Sequence, residues 1–188
     1  MFDSANLSHK IDKAVYRREA PKLREALLNA QFDLKENGRF PVVILIAGVE
    51  GAGKGESVNL LNSWMDPRHI LTHGFPEPTA EENEYPRMLR YWRALPPKGK
   101  IGVFFGAWHT QPIVERVMGR ITAAELDQHV GDILRFEQML CNEGVLLLKF
   151  WFHLTEKQQK RRLKALEKDP ETSWRVTKKD WDFFKLYD

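Results

Sequence analysis

The sequence predicts a three-layer α/β domain, with helices covering both faces of a mainly parallel sheet. Three observations carry that expectation. Short, continuous apolar runs recur at Pro41–Ala47, Lys100–Phe105 and Val145–Leu154. Helix-period segments separate them. A glycine-rich turn, Gly48–Gly55, joins the first run to the helix after it. Unbroken β-branched runs suit strands buried on both faces, and regular strand–helix alternation suits parallel pairing.

The elements follow in order. Residues 8–37 read as helical, with Leu23, Leu27, Ala30 and Leu34 on one face. Pro21 fits a first turn better than an interior, so a break near it is expected, giving two helices. Asn37-Gly38 stops the pattern before the first strand. The glycine turn opens a helix through about Met65, closed by Asp66-Pro67. A Pro- and Glu-rich loop is expected from His73 to Tyr85, then a helix from Tyr85 to Leu95 ending at Pro96-Pro97-Lys98-Gly99. After the second strand, Thr122 and Glu125 form a capping box for a long helix to about Asn142. Asn142-Glu143-Gly144 ends it, the third strand follows, and Thr155 begins a basic helix. No internal repeat, low-complexity tract or linker is evident.

The chain has 188 residues, the length of one domain, and 43% hydrophobic with 29% charged residues is enough apolar material for a core. No apolar run approaches the roughly 20 residues of a membrane-spanning helix. Met1–Lys10 carries no apolar segment of the secretory kind, and Cys141 is the single cysteine, so no internal disulfide forms and a cysteine-ligated zinc is disfavoured. A reducing cytoplasm is the expected location. With 29 Lys+Arg against 26 Asp+Glu, the net charge of +3 points to no polyanion. The charge is concentrated, however: seven basic residues and two glutamates lie between Lys149 and Lys168, whereas Glu77–Glu84 holds four glutamates and no base. No groove-reading or aromatic-interleaved motif accompanies the basic segment, so nucleic acid is not an expected partner.

Gly48-Val-Glu-Gly-Ala-Gly53-Lys54-Gly55 fits G-x-x-x-x-G-K between a strand and a helix. Glycines let successive backbone N–H groups turn toward an anion, and the following helix aims its positive end at the same point. Gly48, Gly51, Ala52, Gly53, Lys54, Gly55 and Glu56 are the expected phosphate-binding set, with Lys54 as the mobile cation. The position after Lys54 is Gly55, where nucleotide-hydrolysing loops place a magnesium-binding hydroxyl, and Ser57 comes two residues late.

Further segments make a resemblance specific. After the loop come Pro76-Glu-Pro-Thr79, Tyr91-Trp-Arg-Ala-Leu-Pro-Pro-Lys-Gly99, Val114-Glu-Arg-Val117, Phe150-Trp-Phe-His-Leu154, Gln159-Lys-Arg-Arg162 and Lys168-Asp-Pro170 with Trp174. In this order they resemble the polyphosphate kinase 2 family over roughly residues 10–188. The resemblance implies a phosphate-loop kinase-like α/β/α fold. It also implies transfer of phosphoryl groups between inorganic polyphosphate and nucleoside mono- or diphosphates such as AMP or ADP, without a membrane. It assigns Lys54 and Glu50 to catalysis, Glu50 to Mg2+, and Arg161, Arg162 and Lys164 to a polyphosphate-holding lid. It divides the chain into N-terminal helices at 1–39, a core at 40–154 and a lid at 155–180, and suggests a homo-oligomer or a second catalytic domain in cis.

The likeness is incomplete at the site. Glu50 stands where active members carry aspartate, and their second strand ends Asp-Arg-Ser-Trp-Tyr where this chain has Phe105, Gly106, Ala107, Trp108 and His109. An expected lid arginine is Leu166. Phosphoryl transfer depends on positioning and charge neutralisation, so these changes predict a weakened phosphotransferase. The alternative is a non-catalytic polyphosphate-binding or dimer-supporting domain. The pattern resembles the first copy in two-copy polyphosphate:AMP phosphotransferases, and the ending at Lys185–Asp188 reads as a C-terminal truncation.

Remaining candidates have plainer expectations. His69 and His73 lack a third ligand and read as surface residues near the site. His109 suits either packing or a phosphate or base contact. Cys141 reads as a small buried residue. Tyr91, Trp92, Trp151, Phe152, Trp174, Trp181, Phe183 and Phe184 read mostly as core, or as surface covered by further chain.

Overall fold

A computed structural model of the chain describes residues 10–187; residues 8 and 9 of the expected first helix lie outside that range. The first helix, α1 (Lys13–Asn37), starts on Asp12, whose carboxylate accepts from the Ala14 and Val15 amides. It ends on left-handed Gly38. Pro21 does not divide it. Arg17, whose carbonyl loses its partner there, is exposed and open to water, so the helix tolerates the missing bond. The apolar stripe is used only in part: Leu27 and Leu34 pack on the sheet, whereas Leu23 is 59% exposed.

β1 (Val42–Gly48) feeds through the glycine turn into α2 (Lys54–Trp64). An unexpected strand, β2 (Ile70–Gly74), runs into the start of the expected His73–Tyr85 loop, and that loop holds a one-turn helix, α3 (Ala80–Asn83), opened by a Thr79–Glu82 capping box. Pro67 and Pro76 flank β2 and hid a strand of five residues. The helix expected at Tyr85–Leu95 shortens to α4 (Leu89–Arg93), because Pro86 holds the preceding residues in a turn. β3 (Ile101–Phe105), α5 (Thr110–Val117), α6 (Ala123–Asn142), β4 (Leu146–Phe152), α7 (Glu156–Lys168) and α8 (Lys178–Phe184) complete the order. The Thr122–Glu125 capping box is present, and Thr155 with Gln158 caps α7 in the same way.

The strands form one parallel sheet in the order β2-β3-β1-β4. Alternate residues of β1 build the two cores. Val43 and Leu45 join Tyr91, Phe104, Trp108, Ile133, Phe136 and Leu140 on the face covered by α4 and α6. Val42, Ile44 and Ile46 join Val58, Met65, Ile70, Ile101 and Val103 on the face covered by α1 and α2. The arrangement is the expected three-layer α/β/α domain. β4 has one ladder neighbour among the described strands. Leu146, Leu148 and Phe150 are exposed on the α1–α2 side, which those helices do not reach. Cys141 is exposed near the end of α6, contrary to the expected burial, because the buried stripe of that helix runs through Ile133, Phe136, Glu137 and Leu140.

Candidate functional site

Parallel pairing brings every strand's carboxyl end to one side of the sheet, where open α/β domains bind ligands. Gly48 ends β1 there with φ 132°, and a Cβ on it would lie 2.0 Å from the Phe152 carbonyl oxygen. Only glycine allows the chain to leave β1 so close to β4. The turn closes on left-handed Gly53, which caps α2 and makes Lys54 its first residue.

The Lys54 ammonium is folded back into the turn. It donates to the Gly48 carbonyl at 2.7 Å, the Val49 carbonyl at 3.3 Å and Glu50 Oε1 at 3.1 Å. Two concavities meet at Lys54. One is a pocket of about 320 Å³ lined by Glu50, Gly51, Gly53, Gly55 and Glu56 of the turn and by Leu163, Leu166, Trp174 and Arg175 of α7 and the segment after it. The other is a larger, mainly apolar cavity of about 780 Å³ that opens across the strand ends. Phe75, Phe105, Gly106, Ile113, Val117, Trp151 and Phe183 contribute to its wall.

The expected site residues divide by geometry. Glu50, Gly51, Gly53, Lys54, Gly55 and Glu56 converge on the smaller pocket; Gly48 lines the larger cavity, and Ala52 is half-buried in the turn between them. Glu56 sits in the first turn of α2 and accepts from Arg175 Nη1 at 2.8 Å, with Arg162 Nη2 at 3.7 Å. Arg162 also lies against the turn, where a Cβ on Gly51 would approach its Cγ to 3.3 Å. Arg161 and Lys164 are exposed, and at about 100° per residue they lie on the side of α7 away from buried Gln159 and Leu163. Sequence reasoning missed Arg175 and Gln159. Arg175 lies in a short 3-10 turn beyond α7, with no periodic signal. Gln159 was noted within a motif, yet its burial depends on how α7 seats.

Phe105 and Gly106 stand on the cavity wall where a carboxylate and an arginine were missed in the sequence. Phe105 packs against the α1–α2 core. Gly106 has φ 59°, and a Cβ there would meet the Phe75 carbonyl at 3.1 Å, so an arginine at 106 would be strained. The described residues fit a protein-held metal poorly. No three His, Cys, Asp or Glu side chains come together among them, and the loop acids Glu50 and Glu56 are already engaged by Lys54 and Arg175.

His69, His73 and His109 each pair or pack within the fold. His73 on β2 sets its ring against Phe104 at 5.4 Å and Phe75 at 6.1 Å, inside an aromatic cluster and not on the surface as expected. His69 lies 4.0 Å from Asp66. His109 Nε2 is 3.1 Å from Glu137 Oε1, which also accepts from Trp108 Nε1 at 3.0 Å. Lys149 Nζ donates to Glu137 Oε2 at 2.8 Å. Burial pushes the Glu137 carboxyl up, but donors from His109, Lys149 and Trp108 outweigh it and hold its pKa at about 2. The aromatics expected as core or covered surface are mixed: Tyr91 is fully buried, Phe183 lines the cavity, and Trp92, Trp151 and Trp174 are exposed.

A glycine turn from a central parallel strand into a helix, with lysine at the first helical position, defines a phosphate-loop α/β domain of the kinase-like kind. The comparisons with known proteins narrow that class. Residues 10–188 match the family described as Polyphosphate kinase 2, and the chain belongs to that family. It is 57% identical over 188 residues to the polyphosphate:AMP phosphotransferase of Pseudomonas aeruginosa, and covers 100% of this chain but 38% of that protein. It is 34% identical over 171 residues to the GDP-polyphosphate phosphotransferase of Mycobacterium tuberculosis, covering 91% of this chain and 58% of that one. The crystal structure of polyphosphate kinase 2 from Arthrobacter aurescens TC1 superposes with a TM-score of 0.87 at 26% identity, over 95% of this chain and 67% of that one. The chain thus spans well under half the length of the Pseudomonas relative. Among the described residues, no helix is long and apolar enough to cross a membrane.

Proposed function

We propose that this domain binds the phosphates of inorganic polyphosphate or of a nucleoside mono- or diphosphate at Gly48–Gly55, and that it transfers phosphoryl groups only weakly. The observation that carries this reading is the pairing of an intact cradle with an apolar opposite wall. Lys54 faces a cavity whose far side presents Phe105 and Gly106. The loop amides, the α2 amino end, Lys54, Arg162 and Arg175 supply the positive field that holds a phosphate chain. Transfer additionally needs charge neutralisation around the moving phosphoryl group, and the β3 end offers none.

In this reading, residues 155–180 act as the lid, with Arg162 nearest the loop and Arg161 and Lys164 meeting a long polyphosphate farther out. Glu50 and Glu56 stay paired with Lys54 and Arg175, so a magnesium ion would be held chiefly by the phosphates that carry it, and the setting is cytoplasmic. A second reading, a non-catalytic domain supporting an active one in cis or within a homo-oligomer, draws on the short span of this chain against its relative.

The test is transfer from long-chain polyphosphate to AMP and ADP, with magnesium, by the wild-type chain, Lys54→Ala and Phe105→Asp. Slow turnover that Lys54→Ala abolishes and Phe105→Asp raises is the expected result. Rapid wild-type turnover refutes the weakened site. Turnover indifferent to Lys54→Ala refutes the loop as the place of chemistry. No turnover by wild type or Phe105→Asp favours the supporting domain.

A further inference from the structure

The smaller of the two concavities at Lys54 has a mixed wall. Gly51, Gly53 and Gly55 bring the phosphate turn to one part of it, whereas Leu163, Leu166 and Trp174 supply an apolar part. Leu166 stands where the lid resemblance implies an arginine. Trp174 is 74% exposed, against the usual burial of tryptophan, yet its ring is held in place. Its Nε1 donates to the Glu171 carbonyl at 3.0 Å, and the Arg175 guanidinium carbon lies 5.4 Å from the ring centroid. Arg175 in turn reaches Glu56 in the first turn of α2, so the indole is anchored beside the cradle.

The ligand chemistry follows from that wall. With its N–H engaged, Trp174 offers a ligand its π-face and no polar group. Lys54 and Arg175 are the bases of the lining, against Glu50, Glu56 and Asp180. Each further phosphate of an inorganic chain adds charge that needs another cation, and beyond the turn the wall offers it leucines and an indole. A nucleotide suits both parts. Its phosphates take the turn amides and Lys54, and its flat base stacks on Trp174 against apolar surface. The volume of about 320 Å³ lies within the range of small-ligand pockets.

We infer that Trp174, backed by Leu163 and Leu166, is a base-stacking platform of the smaller pocket and makes it selective for nucleotides over inorganic phosphate chains. The inference rests on the phosphate-cradle reading and assigns the part of the ligand that the cradle does not touch. It also gives Leu166 a consequence. Leucine in place of a guanidinium removes a handle for polyphosphate and extends the surface that a base can cover.

The experiment is calorimetric binding of ADP and of inorganic tripolyphosphate to the wild-type chain, Trp174→Ala and Trp174→Phe. Trp174→Ala is expected to weaken ADP roughly five- to fiftyfold, the worth of stacking one base, while tripolyphosphate changes less than about twofold. Trp174→Phe keeps a flat ring and recovers most of the loss. Equal losses for both ligands overturn the inference, since Trp174 would then act only by placing Arg175. Unchanged ADP affinity overturns it as well and leaves the exposed ring as surface for another chain. A wild-type chain that binds tripolyphosphate but not ADP defeats this inference and leaves the cradle standing, whereas one that binds neither defeats the proposed function. Should Trp174→Ala fail to fold, the indole N–H signal that Trp174→Phe removes from the wild-type spectrum decides: ADP shifts it upfield through the ring current of the base and tripolyphosphate does not, and absence of that shift refutes the platform.

Discussion

Arg175 and Glu56 are 119 residues apart in sequence and 2.8 Å apart in the fold. The contact ties the turn beyond α7 to the first turn of α2, over the pocket that faces Lys54. A carboxylate thus occupies the attention of an arginine at the amino end of a helix, the place where a phosphate gains most from the same field. Arg162 leans on the same carboxylate from α7.

Glu56→Gln should consequently tighten tripolyphosphate binding. The change frees two guanidinium groups and removes a negative charge from the pocket, and about a three- to tenfold gain at low salt is expected, shrinking toward parity at high salt. Titrations at two ionic strengths check it. Weaker binding by the variant would mean that the carboxylate organises the arginines instead of competing for them.

Gly48→Ala should be poorly tolerated. Its Cβ would sit 2.0 Å from the Phe152 carbonyl oxygen, on backbone with φ 132°. The neighbour is backbone of the adjoining strand, so relief requires parting β1 from β4 beside the phosphate turn. A loss on the order of 3 kcal/mol or more in urea unfolding is expected, with phosphate binding lost alongside. Gly53→Ala meets no neighbour and should cost about 1–2 kcal/mol through its φ of 90° alone.

Glu137 should govern acid stability. Its pKa lies at about 2 in the folded chain, against an ordinary value of 4.5. A depressed carboxyl stabilises the fold above its unfolded value, so this contribution is complete above about pH 5 and fades as pH falls toward 2. The full contribution is on the order of 3 kcal/mol. Glu137→Gln should lower stability at pH 7 and flatten the decline between pH 5 and 3, read from urea midpoints across that range. An unflattened decline would assign acid sensitivity to other carboxyls.

Gln31→Leu should destabilise by about 2 kcal/mol, since the Asp66 amide and carbonyl both lose their partner where α1 crosses the end of α2. Chemical denaturation measures it. A neutral result would show that water replaces both bonds.

Much of this was legible in the chain because the signals were local. The Val42–Gly48 run could only be a strand buried on both faces, and the G-x-x-x-x-G-K spacing leaves few backbone paths between a strand and a helix. The Thr122–Glu125 capping box, read from two residues three apart, is present. The loss of charge at Phe105 and Gly106 follows from the resemblance to the family, whose active members carry aspartate and arginine there. Where expectation and fold parted, the deciding facts were not local. Pro21 sits inside α1 because Arg17 faces water. β2 exists because β3 offers it an edge, with Ile70 opposite Ile101 and Gly74 opposite Phe105. His73 is aromatic packing because Phe104 lies beside it. Helical spacing divides Arg162 from Arg161 and Lys164, but only the seating of Leu163 near Gly51 says which side faces the turn.

The sequence by itself therefore determined the layered α/β class and the phosphate turn, since each depends on periodicity or on spacing within a few residues, while the missing charges at Phe105 and Gly106 show only against the resemblance to the polyphosphate kinase 2 family. Tertiary structure alone decided that Arg175 reaches Glu56 and that Gln159 is buried against the Glu50 carbonyl. Those relations depend on segments up to 119 residues apart meeting at a fixed distance, and only the packing of α7 and its following turn against the sheet sets that distance.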